Sequence, residues 1–96
     1  MEYKLIISPR AQAEIEDTID YYALYSSNAS LTFIRMLKYA YKILETNPFF
    51  EVRYKNIRAI KISKFPYLLY FTINENERTV SIRACFNNKQ NPSKRP

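Results

Sequence analysis

The segment Tyr67–Ile73, Tyr-Leu-Leu-Tyr-Phe-Thr-Ile, sets the terms for any fold this chain adopts. It carries apolar residues at both odd and even positions. A strand of that kind has no face to give to water, so it belongs in the middle of a sheet covered on both sides. Before it come Ile57–Ser63 and a turn at Ser63–Pro66. In Ile57–Ser63 the residues Ile60 and Ile62 fall on one face, and Ala59, Lys61 and Ser63 on the other. After it, Asn74-Glu75-Asn76-Glu77 is a polar break between apolar runs, a hairpin signal even without glycine. Thr79–Phe86 then reads as the last strand, with Val80, Ile82, Ala84 and Phe86 facing one way and Ser81, Arg83 and Cys85 the other. Glu51–Lys55 is a weaker strand candidate.

The first half supplies the cover. Tyr3–Ile7 is short and β-branched and reads as a strand. Ser8-Pro9 opens a helix, with Ser8 suited to the N-cap and Pro9 to the first helical position, where a missing N–H costs nothing. Ala11, Ile15, Ile19 and Tyr22 recur on one helical face. Ser26-Ser27-Asn28 breaks this helix and caps a second, whose stripe is Phe33, Leu37, Ala40 and Leu44, with Arg35, Lys38 and Lys42 outside it. Asn47-Pro48 ends it, because proline disfavours helical geometry in the residue before it. The expected order is strand, helix, helix and three or four more strands. That is an α+β fold, with an N-terminal helical hairpin packed on one face of an antiparallel sheet. The other face, apolar on the central strand and flanked by Lys61 and Arg83, is expected to meet a partner segment.

Residues 1–88 are expected to form one domain and 89–96 a polar basic tail. The chain has 96 residues, no His, no Gly and one Cys. Without His the commonest general acid–base group is missing, and without Gly there is no glycine-rich phosphate loop. Cys85 alone makes neither an internal disulfide nor a zinc cluster. No cofactor and no metal site is expected. The carboxylates Glu14, Glu16, Asp17 and Asp20 read as a solvated helix face. No run approaches a membrane span, and a cytoplasmic setting is expected.

Charge is split between the halves. Residues 1–48 hold five basic and six acidic residues, whereas 49–96 hold ten basic and three acidic. Arg53, Lys55, Arg58, Lys61 and Lys64 follow one another with no acid between them. Such a concentration points to a polyanion or an acidic protein as partner.

Several short motifs, in order, resemble the RelE/ParE toxins of type II toxin–antitoxin systems, which include plasmid stabilisation proteins. They are Ser8-Pro9-Arg10-Ala11, Asp20-Tyr21-Tyr22, Leu44-Glu45-Thr46-Asn47-Pro48, Ile57-Arg58-Ala59-Ile60, Phe65-Pro66-Tyr67-Leu68-Leu69-Tyr70 and Phe86-Asn87-Asn88-Lys89-Gln90-Asn91-Pro92. The resemblance runs from Tyr3 to about Pro92. It implies two helices on an antiparallel sheet and a growth-arresting toxin, neutralised by a cognate acidic antitoxin in an oligomeric complex.

Two mechanisms divide that family. The RelE branch cuts messenger RNA on the ribosome and needs a proton acceptor with cations around the reacting phosphate. Its central strand carries Arg where this chain has Tyr67, and a Tyr or His follows near the C-terminus, where this chain has neither. If the chain were of that kind, Arg58, Lys61 and Arg83 would be its catalytic cations. The ParE branch inhibits DNA gyrase without chemistry of its own. The Phe65-Pro66-Tyr67 strand and the Asn91-Pro92 ending resemble it more, although many relatives have His where this chain has Asn87. The ParE-like reading is therefore favoured over the ribosome-dependent nuclease, with a basic nucleic-acid-binding module as a third possibility. Residues expected at the target or antitoxin surface are Arg53, Lys55, Arg58, Lys61, Lys64, Tyr67, Arg83, Asn87 and Lys89.

Overall fold

A computed structural model describes residues 2–88; the expected tail, 89–96, lies outside them. Strand β1 (Lys4–Ile7) leads directly into helix α1 (Pro9–Ala23). The Ser8 hydroxyl accepts the Ala11 amide at 3.1 Å and Pro9 fills the first turn, as the Ser-Pro pair predicts. Helix α2 (Ser27–Thr46) starts in the same way, with Ser26 Oγ accepting the Ala29 amide at 3.0 Å. Strands β2 (Val52–Tyr54), β3 (Ile57–Lys61), β4 (Tyr67–Asn74) and β5 (Thr79–Asn87) follow.

The five strands form one sheet in the order β1-β5-β4-β3-β2, so β4 is central, as its apolar composition requires. Pairings among β2 to β5 are antiparallel, while β1 runs parallel to β5. The sheet is therefore mixed at one edge. The helical hairpin carries the chain across from β1, as a parallel crossover needs.

Both helices pack on one face. Ala11, Ile15, Phe33, Leu37, Ala40 and Leu44 meet Ile60, Ile62, Leu69, Phe71, Val80 and Ile82 in a continuous core. Ile19 and Tyr22 are only partly buried at its margin. Each fully buried Leu, Ile or Phe here contributes about 1.5–3 kcal/mol.

The opposite face differs from expectation. Ala59, Leu68, Tyr70, Ala84 and Phe86 form a second cluster there, itself buried, with Ile57 against it. It is not a bare apolar surface. Ala84 and Phe86 reach this side because β5 carries a register shift: Tyr70 pairs with Ala84, but Phe71 pairs with Ile82. Arg83 is the extra residue of this bulge, and beyond it the faces exchange. Val80 and Ile82 face the helices, Ala84 and Phe86 turn away, and Cys85 joins the helix-side core. The alternation read from the sequence holds only up to Arg83.

Candidate functional site

Past the last residue paired with β1, two backbone groups of β5 are met by the N-cap and first turns of α1. Ser8 Oγ donates to the Arg83 carbonyl at 3.1 Å. Glu14 Oε1 accepts the Cys85 amide at 2.8 Å. The other Glu14 oxygen pairs with Arg10 Nε at 3.2 Å. Glu14 is thus no solvated carboxylate, as the sequence suggested, but a clip between helix and sheet. Next to it, burial pushes the Cys85 thiol up to about 12, with Glu14 adding to the effect and a hydrogen bond from Thr18 opposing it. Burial likewise raises Tyr41 to about 12. Cys85 stays a neutral core thiol, far from nucleophilic.

Around the bulge, Arg83 projects outward and is exposed, its Nε donating to Thr72 Oγ1 at 3.3 Å. This is the face away from the helices, on which the sequence reading set it beside Lys61. It shares an open cavity of about 400 Å³ with Ser8, Arg10, Asn56, Ile57 and Thr72. Arg10 also lies over the Phe86 ring, 5.5 Å from its centroid.

The other basic residues do not converge on this place. Arg58 is half-buried on the helix side of β3, where its Nη1 donates to the Phe50 carbonyl at 2.6 Å and its guanidinium covers Phe49 at 5.6 Å. This fastens the segment after α2 to the sheet. Lys61 stands on the other face, exposed, opposite Leu68. Leu68 in turn pairs with Phe86, so Lys61 and Arg83 lie two strands apart and at different heights on the ladder. Arg53 is on the exposed edge strand β2, beside a groove formed with Phe50, Glu51, Val52 and Ala59.

Lys55 and Lys64 occupy turns, and so does Arg78. All three adopt left-handed backbone, with φ of 54°, 73° and 52° respectively. A chain without glycine must put side-chain-bearing residues there, at roughly 1–2 kcal/mol each. Two of these cations rest on rings, Lys55 on Tyr54 at 5.5 Å and Arg78 on Tyr3 at 4.5 Å.

Tyr67 and Asn87 are brought together, paired across β4 and β5. With Tyr21, Tyr22, Tyr25, Ala29 and Pro66 they line an aromatic groove of about 690 Å³ at the tip of the helical hairpin. Tyr67 packs its ring on Phe33 and Tyr22, with centroids 5.9 and 6.3 Å away. Tyr21 and Tyr25 are exposed and share a hydroxyl hydrogen bond of 3.0 Å. That bond, with the charge Tyr25 would carry, raises the Tyr21 pKa. Burial raises that of Tyr22. Sequence reasoning missed Tyr21 and Tyr25 as groove residues. Their signal was a tyrosine pair at helical spacing off the apolar stripe. Lys89 lies outside the described residues.

A helical hairpin over one face of a five-stranded mixed sheet is an α+β fold. A chain of the chromosomal ParDE toxin–antitoxin system from P. aeruginosa has the same fold, with a TM-score of 0.74 and 14% identity over 88% of this chain and 95% of that one. The family model described as the ParE toxin of the type II toxin–antitoxin system parDE matches residues 5–92. The chain belongs to the ParE toxin family. Comparison with curated protein sequences gives no significant match.

Proposed function

We propose that this ParE-family toxin acts by binding DNA gyrase, performs no chemistry of its own, and is neutralised by a cognate acidic antitoxin. The observation that carries the reading is the separation of its cations. Ribonucleolytic cleavage needs several of them around one phosphate together with a proton acceptor. Arg58 is instead committed to the Phe50 carbonyl on the helix side, while Lys61 and Arg83 sit apart on the other. The central strand offers Tyr67, which is packed against the helices.

For the antitoxin, the groove of Tyr21, Tyr25, Tyr67 and Asn87 offers apolar contact, and the basic second half of the chain complements an acidic segment. A cytoplasmic setting belongs to the same proposal; no described helix is long and apolar enough to cross a membrane.

The test is a supercoiling assay with purified gyrase. Rising toxin is expected to stop supercoiling and accumulate cleaved DNA, and equimolar antitoxin to restore activity. Normal supercoiling in excess toxin would reject the gyrase target. Codon-positioned cuts in translated messages would move the assignment to the ribosome-dependent nuclease.

A further inference from the structure

The open cavity of about 400 Å³ beside the β5 bulge has a lining that the proposed action on gyrase does not use. Asn56 precedes β3 and Ile57 opens it, Thr72 comes from β4, Arg83 from β5, and Ser8 and Arg10 from the start of α1. Two guanidinium groups line it and, among the described residues, no carboxylate does. Its volume falls in the range of small-molecule sites, roughly 300–1,000 Å³.

The donors around it are held in place. Arg83 is the extra residue of the bulge and has no partner across the ladder. Its carbonyl accepts the Ser8 hydroxyl at 3.1 Å, and its Nε donates to Thr72 Oγ1 at 3.3 Å. Backbone and side chain are thus both tied, although the residue is exposed. Arg10 is tied through its Nε to Glu14 at 3.2 Å and rests over Phe86, 5.5 Å from the ring centroid. The hydrogen bonds of both arginines run through Nε, which leaves the Nη groups for a guest. Thr72 accepts from Arg83, so its own hydroxyl proton is free to be donated. Ser8 spends its proton on the Arg83 carbonyl and only shapes the wall. Glu14 offsets one of the two positive charges.

We infer that this cavity binds the phosphate group of a small phosphorylated molecule. A phosphate presents several acceptor oxygens around one centre, and two guanidinium forks, a hydroxyl and an amide satisfy them together. A carboxylate, planar and with two oxygens, would engage one fork and leave the other donors idle. Ile57, half-buried, gives the rest of the ligand an apolar wall. A nucleic-acid strand is the poorer guest, because it needs cations at successive phosphates. The other basic residues do not continue this pair: Arg58 is bound on the helix side, and Lys61 lies further along the ladder.

The test is a titration of the whole chain with inorganic phosphate and, separately, with adenosine 5′-monophosphate. It is followed by NMR at the Nε–H groups of Arg10 and Arg83 and at the Asn56 side-chain amide; no readout involves gyrase, so a wrong gyrase target leaves the result standing. These signals are expected to move together and to saturate below about 10 mM, while adenosine leaves them still. Arg83→Gln should weaken binding of both probes by about tenfold or more, and Lys42→Gln, on α2 outside the cavity, should not change it. Should Arg83→Gln fail to fold by circular dichroism, Asn56→Ala, in an exposed turn, makes the same comparison. The inference is overturned if the signals do not saturate by that concentration, or if the cavity variant binds unchanged. Equal shifts at the surface lysines of α2, or an equal response to adenosine, overturn it too. So does a short DNA duplex that binds where the mononucleotide does not, since the guest is then a nucleic-acid backbone.

Discussion

Replacing Glu14 with alanine tests whether the helix-to-bulge clip holds the sheet in register. The carboxylate does two things: Oε1 accepts the Cys85 amide at 2.8 Å and Oε2 meets Arg10 at 3.2 Å. The Arg10 side chain is 49% exposed and that of Glu14 28%, so water screens the ion pair, which contributes at most about 0.2–1 kcal/mol. The amide bond is another matter. Truncation leaves the part-buried Cys85 N–H, two residues past the bulge, without this acceptor, at about 1–3 kcal/mol. The expected loss for Glu14→Ala is therefore about 1–4 kcal/mol, a large share of the roughly 5–15 kcal/mol that holds a domain of this size. Glu14→Gln keeps an acceptor and should lose about 1 kcal/mol. Arg10→Ala removes only the screened pair and its contact with Phe86, and should cost less than Glu14→Ala. Urea denaturation measures all three, and amide exchange at Cys85 locates the effect. The reasoning is refuted if Glu14→Ala loses no more than Arg10→Ala, or if the Cys85 amide keeps its protection.

Three further predictions concern stability. Lys64→Gly relieves a left-handed residue at φ 73° and, after the extra backbone entropy of glycine, should gain about 0.5–1 kcal/mol in urea denaturation; a loss would place the strain elsewhere. Arg58→Ala gives up the bond to the Phe50 carbonyl and the stacking on Phe49, and should cost about 1–3 kcal/mol, whereas an unchanged midpoint would return Arg58 to the list of free surface cations. Cys85 and Tyr41 have folded pKa values raised to about 12, above their unfolded values, so the stability they contribute is intact below about pH 9. It is lost as pH rises from there toward 12, and Cys85→Ala should delay the onset of that loss in denaturation midpoints followed against pH.

Much of the fold is legible in the sequence because local chemistry and global packing agree there. Ser8-Pro9 caps α1 as written, the stripe of α2 is buried throughout and that of α1 at Ala11 and Ile15, and the apolar Tyr67–Ile73 is central. Arg83 shows where legibility ends. The run Val80–Phe86 alternates without a break, and because both faces of the sheet are buried there, polarity does not reveal an inserted residue. The bulge is fixed by pairing with Tyr70 and Phe71, and by Ser8 and Glu14 some seventy residues away, which no local pattern encodes. The parallel pairing of β1 was hidden for a related reason, since a four-residue strand carries no mark of its neighbour. Among the candidate site residues, residue type was readable but convergence was not. Lysines and arginines close in sequence were sent to opposite faces by the pleat, to turns by the lack of glycine, or to backbone carbonyls.

The place of β5 between β1 and β4 has a consequence for how the chain comes into being. Ser8 and Arg83, which join across the bulge, are 75 residues apart; closing a loop that long costs about 4 kcal/mol of chain entropy beyond a constant. During synthesis the helices and the β3–β4 hairpin emerge first, but β1 has no neighbour to pair with until β5 has left the ribosome. The core face of β4 is open along one side for the same interval. The finished surface, with its groove at Tyr67 and Asn87, therefore forms late and all at once. A nascent chain stopped before Thr79 lacks β5, and with it the pairing that joins β1 to the sheet and the Asn87 wall of the groove.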